Sequence, residues 1–509
     1  MILTLSALVF AADVQVAPTT LVPEVDRPLQ TRAEFETEWY EYNNLDFRPL
    51  DESTDQAVLD SDDRGGFAFS GASLELAYAA SSQVGFLFAA SHRGLWGNDQ
   101  IGTVNAFGGW VYINALALDL ATSTGVSPVR FRVGRQFFAP GGLGGAPEFV
   151  FADVIDGIRA DVPLGKVGTL SVLPVTVVAT STDHDGADFV SYIAADPDVE
   201  FGFEGDTMTR RHGAVLALDK IPGPVDGTVY GFYTDIGAGG TGSDISYDGL
   251  LGNVSDNDWV ANSGARALGT FGPVGVFAQI DLSRGIDRKE AVARDVDCNG
   301  VAWGAGVNLK VGPEEAPVSA HVGVFDALGA AYANDGLLYS HGYVGLKGEQ
   351  AGGLLFDRFL GLHPSAYSGS GGVEDTPQEQ DRKSGTRVVE ATAGWDSEVG
   401  LTVEAGWWWL TDRGITDLNL SSLDTLTPPY GYAREELAAE ERLGSSLGHE
   451  LNGSVGWRFG EPVTLFAQGG AIVGTSFYGT EIARVAGTAL GSSSPAMPWT
   501  LSVGLKAAL

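Results

Sequence analysis

Charged side chains spaced two residues apart are the chemically suggestive feature of this 509-residue chain. Glu34, Glu36 and Glu38 follow one another at that spacing, as do Arg130 and Arg132, and Arg159 stands two residues before Asp161. Along an extended strand, residues i and i+2 point to the same face. Such a ladder puts fixed charge on one side of a strand. It performs no covalent step, but it sorts ions and dipolar solutes by its field. Other patterns imitate reactive or ligating sites and fail on context. Asp295-Val296-Asp297-Cys298-Asn299-Gly300 copies the first half of an EF-hand loop, yet position 12, which should be a bidentate Glu, is Gly306. Gly444-Ser445-Ser446-Leu447-Gly448, followed by His449, matches G-x-S-x-G. A nucleophile elbow needs strand, turn and helix in order, and here a loop runs into a strand. His92, His184, His212, His321, His341, His363 and His449 show no metal-ligand spacing. Gly141 to Gly145 opens no helix that could bind a phosphate. The expectation is no catalytic residue, no metal, no cofactor and no enzyme.

The elements that carry the ladders are read from composition and periodicity. Sixty-five acids against 30 bases give a formal charge of -35 and a pI near 4.3. Nucleic acid is excluded as a partner, because phosphate binding needs a basic footprint. A 44% hydrophobic content with 11 Trp excludes disorder. Seventy Gly argue against helices, where each costs about 1 kcal/mol. The single Cys298 excludes a disulfide framework, and no run of 18 apolar residues exists to form a helical span. Period-2 alternation dominates instead. Trp499, Leu501, Val503, Leu505 and Ala507 oppose Thr500, Ser502, Gly504, Lys506 and Ala508. Val399, Leu401, Val403, Ala405, Trp407 and Trp409 oppose Gly400, Thr402, Glu404 and Gly406.

The striping predicts 18 strands near 31–42, 67–79, 83–91, 104–119, 127–138, 154–163, 168–180, 208–219, 225–235, 258–271, 274–283, 300–311, 317–326, 385–395, 399–411, 447–459, 463–474 and 498–509. A soluble sandwich would be striped too, so the connections discriminate. They alternate strictly between long polar stretches, such as 181–207 and 327–384, and short turns, such as Phe271-Gly272-Pro273. The fold class that follows is all-β: a transmembrane antiparallel up-and-down β-barrel with long extracellular loops and short periplasmic turns. A spanning sheet must close, since every backbone N–H and C=O in lipid needs a partner within the protein. Trp39, Tyr78, Trp110, Trp395, Trp457 and Trp499 would form interfacial girdles. Residues 1–12, apolar and ending in Ala11-Ala12, read as a signal-peptide remnant, 13–30 as a periplasmic segment and 31–509 as one barrel.

Glu38-Trp39-Tyr40 followed by Asn43-Asn44-Leu45-Asp46-Phe47 resembles the first strand and loop of the alginate-export-type, porin-like outer-membrane proteins. Gly134-Arg135-Gln136 ending one strand, with Asp156-Gly157-Ile158-Arg159 opening the next, is similar to the same family. The resemblance implies an 18-strand barrel in the outer membrane of a Gram-negative bacterium, with both termini periplasmic. It also implies outer-membrane lipid, lipopolysaccharide and the barrel-assembly machinery as partners.

Strand parity assigns each charge to lipid or lumen. The expected lumen bases are Arg32, Arg130, Arg132, Arg159, Arg211, Arg266, Lys310, Arg458 and Lys506. The expected lumen acids are Glu34, Glu36, Glu38, Glu75, Asp161, Asp281, Glu390, Glu404 and Glu450. Nine against nine leaves the acidic excess in loops such as 43–66 and 181–207, where it either draws cations to the mouth or keeps the surface solvated and repulsive. Strands 5 and 6 carry Arg130, Arg132 and Arg159, opposite Glu390, Glu404 and Glu450 on strands 14 to 16, with Glu34, Glu36 and Glu38 nearby on strand 1. These residues form either a transverse field across a wet pore or local cross-strand salt bridges. Stretch 327–384, with apolar Leu354-Leu355-Phe356, and Gly-rich 139–153 are the candidates for folding into the mouth. The expected function is passive passage of small hydrophilic solutes, filtered by lumen charge. The alternatives are a specific polysaccharide or solute channel, or a plugged barrel with a structural or adhesive role.

Overall fold

The computed structural model describes residues 24, 26, 28–43, 64–95, 109–122, 129–138, 153–178, 209–221, 225–236, 258–287, 295–313, 316–329, 331–332, 338–340, 342–344, 353–355, 386–412, 446–460, 462–474 and 497–508. In chain order the strands are β1 (Leu29–Asn43), β2 (Arg64–Ala79), β3 (Val84–Leu95), β4 (Gly109–Ala121), β5 (Arg130–Phe138), β6 (Asp153–Pro163) and β7 (Gly168–Val178). They continue as β8 (Thr209–Ile221), β9 (Val225–Ile236), β10 (Asp258–Phe271), β11 (Val274–Asp287), β12 (Val296–Asp297), β13 (Gly300–Val311) and β14 (Val318–Ala327). The last are β15 (Ala331–Tyr332), β16 (Leu338–Ser340), β17 (Thr386–Asp396), β18 (Leu401–Asp412), β19 (Ser446–Phe459), β20 (Val463–Val473) and β21 (Trp499–Ala508).

Eighteen of these strands pair antiparallel with their sequence neighbours, and β1 pairs with β21 from Glu34↔Ala508 to Asn43↔Trp499. That last pairing closes the ring, so no edge is left to bind another chain. Each of the 18 expected strands is found, with bounds shifted by a few residues. Short turns join strands at one end of the ring. At Phe271-Gly272-Pro273-Val274 the turn needs φ of 63° at Gly272, a left-handed value that a side chain would strain. At 80–84 the Ser81 hydroxyl accepts hydrogen bonds from the Gln83 and Val84 backbone N–H groups, closing the tip.

Three small strands were not expected. Stretches 284–299 and 327–384, read from the sequence as connections, contain β12, β15 and β16, and β11 extends to Asp287. β12 pairs with the end of β11 and runs parallel to β16, which pairs with β15. Elements of two and three residues carry no periodic signal; they form because the end of β11 offers free ladder groups. The β7–β8 ladder also slips between Leu173 and Thr176, where Pro174 has no N–H to donate.

The faces of the sheet are inverted relative to a soluble protein. On β1, Phe35 and Trp39 are 44% and 57% exposed, while Glu36 and Glu38 between them are 4% and 1% exposed. On β21, Leu501 and Val503 face out and Thr500 and Ser502 are buried. Leu74, Tyr78, Leu116, Ile280, Trp303, Val322, Trp395, Leu451, Val455 and Trp457 continue the apolar exterior around the ring. Water would penalise such a surface, at about 25 cal/mol per Å², and hydrocarbon would not. The fold is that of a transmembrane β-barrel, with a polar inner face.

Candidate pore lining and an infolded segment

Alternation with exposed apolar residues places Arg130, Arg132, Arg159, Arg266 and Lys310 on the inner face of the sheet. Glu34, Glu36, Glu38, Glu390, Glu404 and Glu450 share that face. In ring order, β5 and β6 stand nine places from β17 and β18, so the arginine-bearing and glutamate-bearing strands lie opposite one another. The arginines, however, are held locally. Arg132 Nη2 lies 3.0 Å from Asp119 Oδ2 on the neighbouring strand β4, and Arg130 Nε lies 3.8 Å from the same carboxylate. Arg159 Nε donates to Asp161 Oδ1 at 2.7 Å, and that oxygen also accepts from Ser171 Oγ at 2.6 Å. Its guanidinium carbon stands 5.0 Å from the centre of the Phe138 ring. Asp119 was not among the expected lumen acids: the sequence reading ended its strand at 119, and the strand runs on to Ala121. Lys310 is exposed at the short-turn end, its backbone N–H bonded to Pro273 O.

The acids are also engaged. Glu34 pairs with Arg32 at 2.5 Å, Glu38 accepts from Gln468 Nε2 at 2.8 Å, and Ser454 Oγ lies 3.5 Å from Glu404. Glu390 closes a lateral chain across four strands. His321 Nδ1 is 2.6 Å from Asn308 Oδ1, His321 Nε2 is 2.8 Å from Glu390 Oε1, and Trp408 Nε1 donates to Glu390 Oε2 at 3.2 Å. Gly323 makes room for this chain, since a β-carbon there would press on both His321 and Glu390. His321, Asn308 and Trp408 were not among the expected lining residues. Neutral donors carry no signal in a search for charge.

The described part of stretch 327–384 lies on the inner wall. Tyr343 is fully buried, and its hydroxyl donates to Asp281 Oδ2 on β11 at 2.5 Å. Asn262 Nδ2 on β10 donates to Val344 O at 3.0 Å, and Val344 N donates to Ser283 Oγ at 3.1 Å. Leu354 and Leu355 are buried, and Leu355 N donates to Glu450 Oε1 on β19 at 2.6 Å. Phe356 and stretch 139–152 lie outside the described residues.

The imitated motifs resolve into structure. Asp297 belongs to β12 and Gly300 opens β13, with Gly306 inside that strand. Among the described residues no group of three or more His, Cys, Asp or Glu could hold a metal. Ser446 is the first residue of β19, and His449 faces outward, stacked between Trp407 and Trp409 at 5.8 and 6.1 Å. This trio forms part of an aromatic girdle near the long-connection end. Side chains of His184, His212, His341, His363 and Arg211 lie outside the described residues.

The class defined by this architecture is the closed 18-strand antiparallel membrane barrel. No family model matches the chain, and no curated protein matches it. Among solved structures it is similar to OpdO of Pseudomonas aeruginosa, with 10% identity, 95% of this chain and 97% of that one covered and a TM-score of 0.44. OccK2 (OpdF) of the same organism gives 9% identity, 94% and 98% coverage and a TM-score of 0.44. A loop-L8 deletion mutant of OmpT, an outer membrane protein of Vibrio cholerae, gives 8%, 94%, 99% and 0.38. The fold stands on the strand pairing described above and not on these likenesses.

Proposed function

We propose that the chain is an outer-membrane channel of a Gram-negative bacterium, passing small hydrophilic solutes passively under the field of its lining charges. The observation that carries this reading is the inversion of faces around a closed ring: apolar outside, and inside a wall of Arg130, Arg132, Arg159, Arg266, Glu36, Glu38, Glu390 and Glu404. An apolar exterior requires lipid, and a charged interior requires water or paired ions. Outer-membrane lipid, lipopolysaccharide and the barrel-assembly machinery are the partners that such a site of residence entails. The even strand number leaves both barrel ends at the short-turn side, which this reading takes as periplasmic. No covalent step and no cofactor enter the mechanism; replacing Ser446 with Ala leaves any esterase background unchanged.

Refolded protein in a planar bilayer tests the proposal. Stable open steps with weak ion selectivity are expected. A second reading, a plugged barrel with a structural role, is favoured by the buried Tyr343, Leu354 and Leu355 on the inner wall. A silent bilayer, from protein whose heat-modifiable mobility verifies the barrel, would sink the channel and leave the plug. Strong anion selectivity would instead favour export of a polyanion of the alginate type, for which a one-signed bore is the requirement.

A further inference from the structure

We infer that Asp281 and Glu450 are latches rather than filter groups, holding residues 342–344 and 353–355 on the inner wall as a two-point strap whose release widens the passage. The inference rests on the channel reading above. A filter carboxylate presents its oxygens to passing ions. Asp281 is fully buried and takes the Tyr343 hydroxyl at 2.5 Å and the Asn262 amide at 3.3 Å, and Glu450, also fully buried, takes the Leu355 N–H at 2.6 Å. Hydrogen bonds to a carboxylate are the strong ones, which suits a latch.

The rest of the wall is shaped for the strap. Both backbone polar groups of Val344 are met by wall side chains, Ser283 and Asn262, as buried irregular backbone requires. Tyr343 N donates to Leu328 O at 2.8 Å, and Gly342 turns there with φ of 72°. Gly300 on the wall and Gly353 on the strap lie where the two press together. A β-carbon at Gly300 would overlap the Tyr343 backbone, and one at Gly353 would press on Glu450 and Asn452. The anchors stand apart, because β11, β13, β14, β17, β18 and β19 follow one another around the ring. Each latch can therefore open without the other.

The chain contains its own reporter. Cys298, the single cysteine, is fully buried and packs with Val260 and with Val344, the strap residue next to Tyr343. Thiol reactivity follows exposure. In the full-length refolded barrel, a maleimide is expected to label wild-type Cys298 slowly, and Tyr343→Phe or Asp281→Ala to raise the rate roughly tenfold or more. Tyr343→Phe, which keeps the ring and loses only the hydroxyl, carries the test if Asp281→Ala fails to fold. At the other anchor, Glu450→Ala is expected to enlarge the single-channel step with the reversal potential unchanged. Cys298 protected in a folded Tyr343→Phe variant would overturn the inference. So would a Glu450→Ala channel of unchanged step size with a shifted reversal potential, the mark of a filter group. If neither wild type nor variants conduct, the channel reading falls, while Cys298 labelling still decides the strap.

Discussion

Asp119 shows at the scale of one residue how a lumen charge is spent. Its carboxylate lies against both Arg130 and Arg132, so one negative charge is shared between two cations that face the bore and offsets half of their charge. Asp119→Asn removes the negative charge while keeping the shape. It is expected to shift the reversal potential toward anions, by an amount that falls as salt rises; an unchanged potential would mean that these arginines never meet the permeant ion. Gly300→Ala makes a second test at this scale. Its β-carbon would collide with Tyr343, so labelling of Cys298 should accelerate although no polar group has changed. None of this pairing is legible from charge counts, because a strand's parity gives the face of a carboxylate and not its neighbour.

At the scale of elements, the strands are placed where alternation placed them. The reason is local: a wall between lipid and lumen imposes a two-residue period on every strand that crosses it. Ile280 illustrates the demand. It stands midway along β11 and half exposed on the outer face, between the buried inner residues Gln279 and Asp281. Ile280→Arg is expected to lower the stability of the refolded barrel by about 2–4 kcal/mol, read from denaturant unfolding in vesicles. A negligible loss would mean that this face does not meet hydrocarbon. β12, β15 and β16 obey no such period, and their existence depends on ladder groups at the end of β11. A connection can be recognised as long from its sequence, but not as one that pairs back onto the wall.

The whole molecule carries -35 formal charges, and the acidic excess lies mainly in long stretches such as 43–66 and 181–207 rather than in the ladders. On the channel reading these stretches belong to the mouth, where their charge would concentrate cations within a Debye length, about 10 Å at 0.1 M salt and about 3 Å at 1 M. Conductance is therefore expected to prefer cations at low salt and to lose most of that preference near molar salt. A selectivity independent of salt would place its origin deeper, among the paired charges of the wall.

The sequence by itself determined the 18 strands of the barrel wall, their order and the alternation of inward and outward faces along them, since these follow from the period-2 demand of a lipid boundary and the alternation of long and short connections. Of the motifs read as resembling alginate-export proteins, Gly134-Arg135-Gln136 and Asp156–Arg159 lie on β5 and β6, with Gly134 opposite Gly157 and Arg135 opposite Asp156, whereas residues 44–47 lie outside the described residues and no family model matches the chain. Only the tertiary structure decided closure between β1 and β21, the partners of the lumen charges and the seat of the strap. Glu450 and Leu355 lie 95 residues apart, and Tyr343 and Asp281 lie 62 apart. Such meetings depend on the curvature of the closed wall, which brings distant segments to one inner surface and leaves no trace in local periodicity.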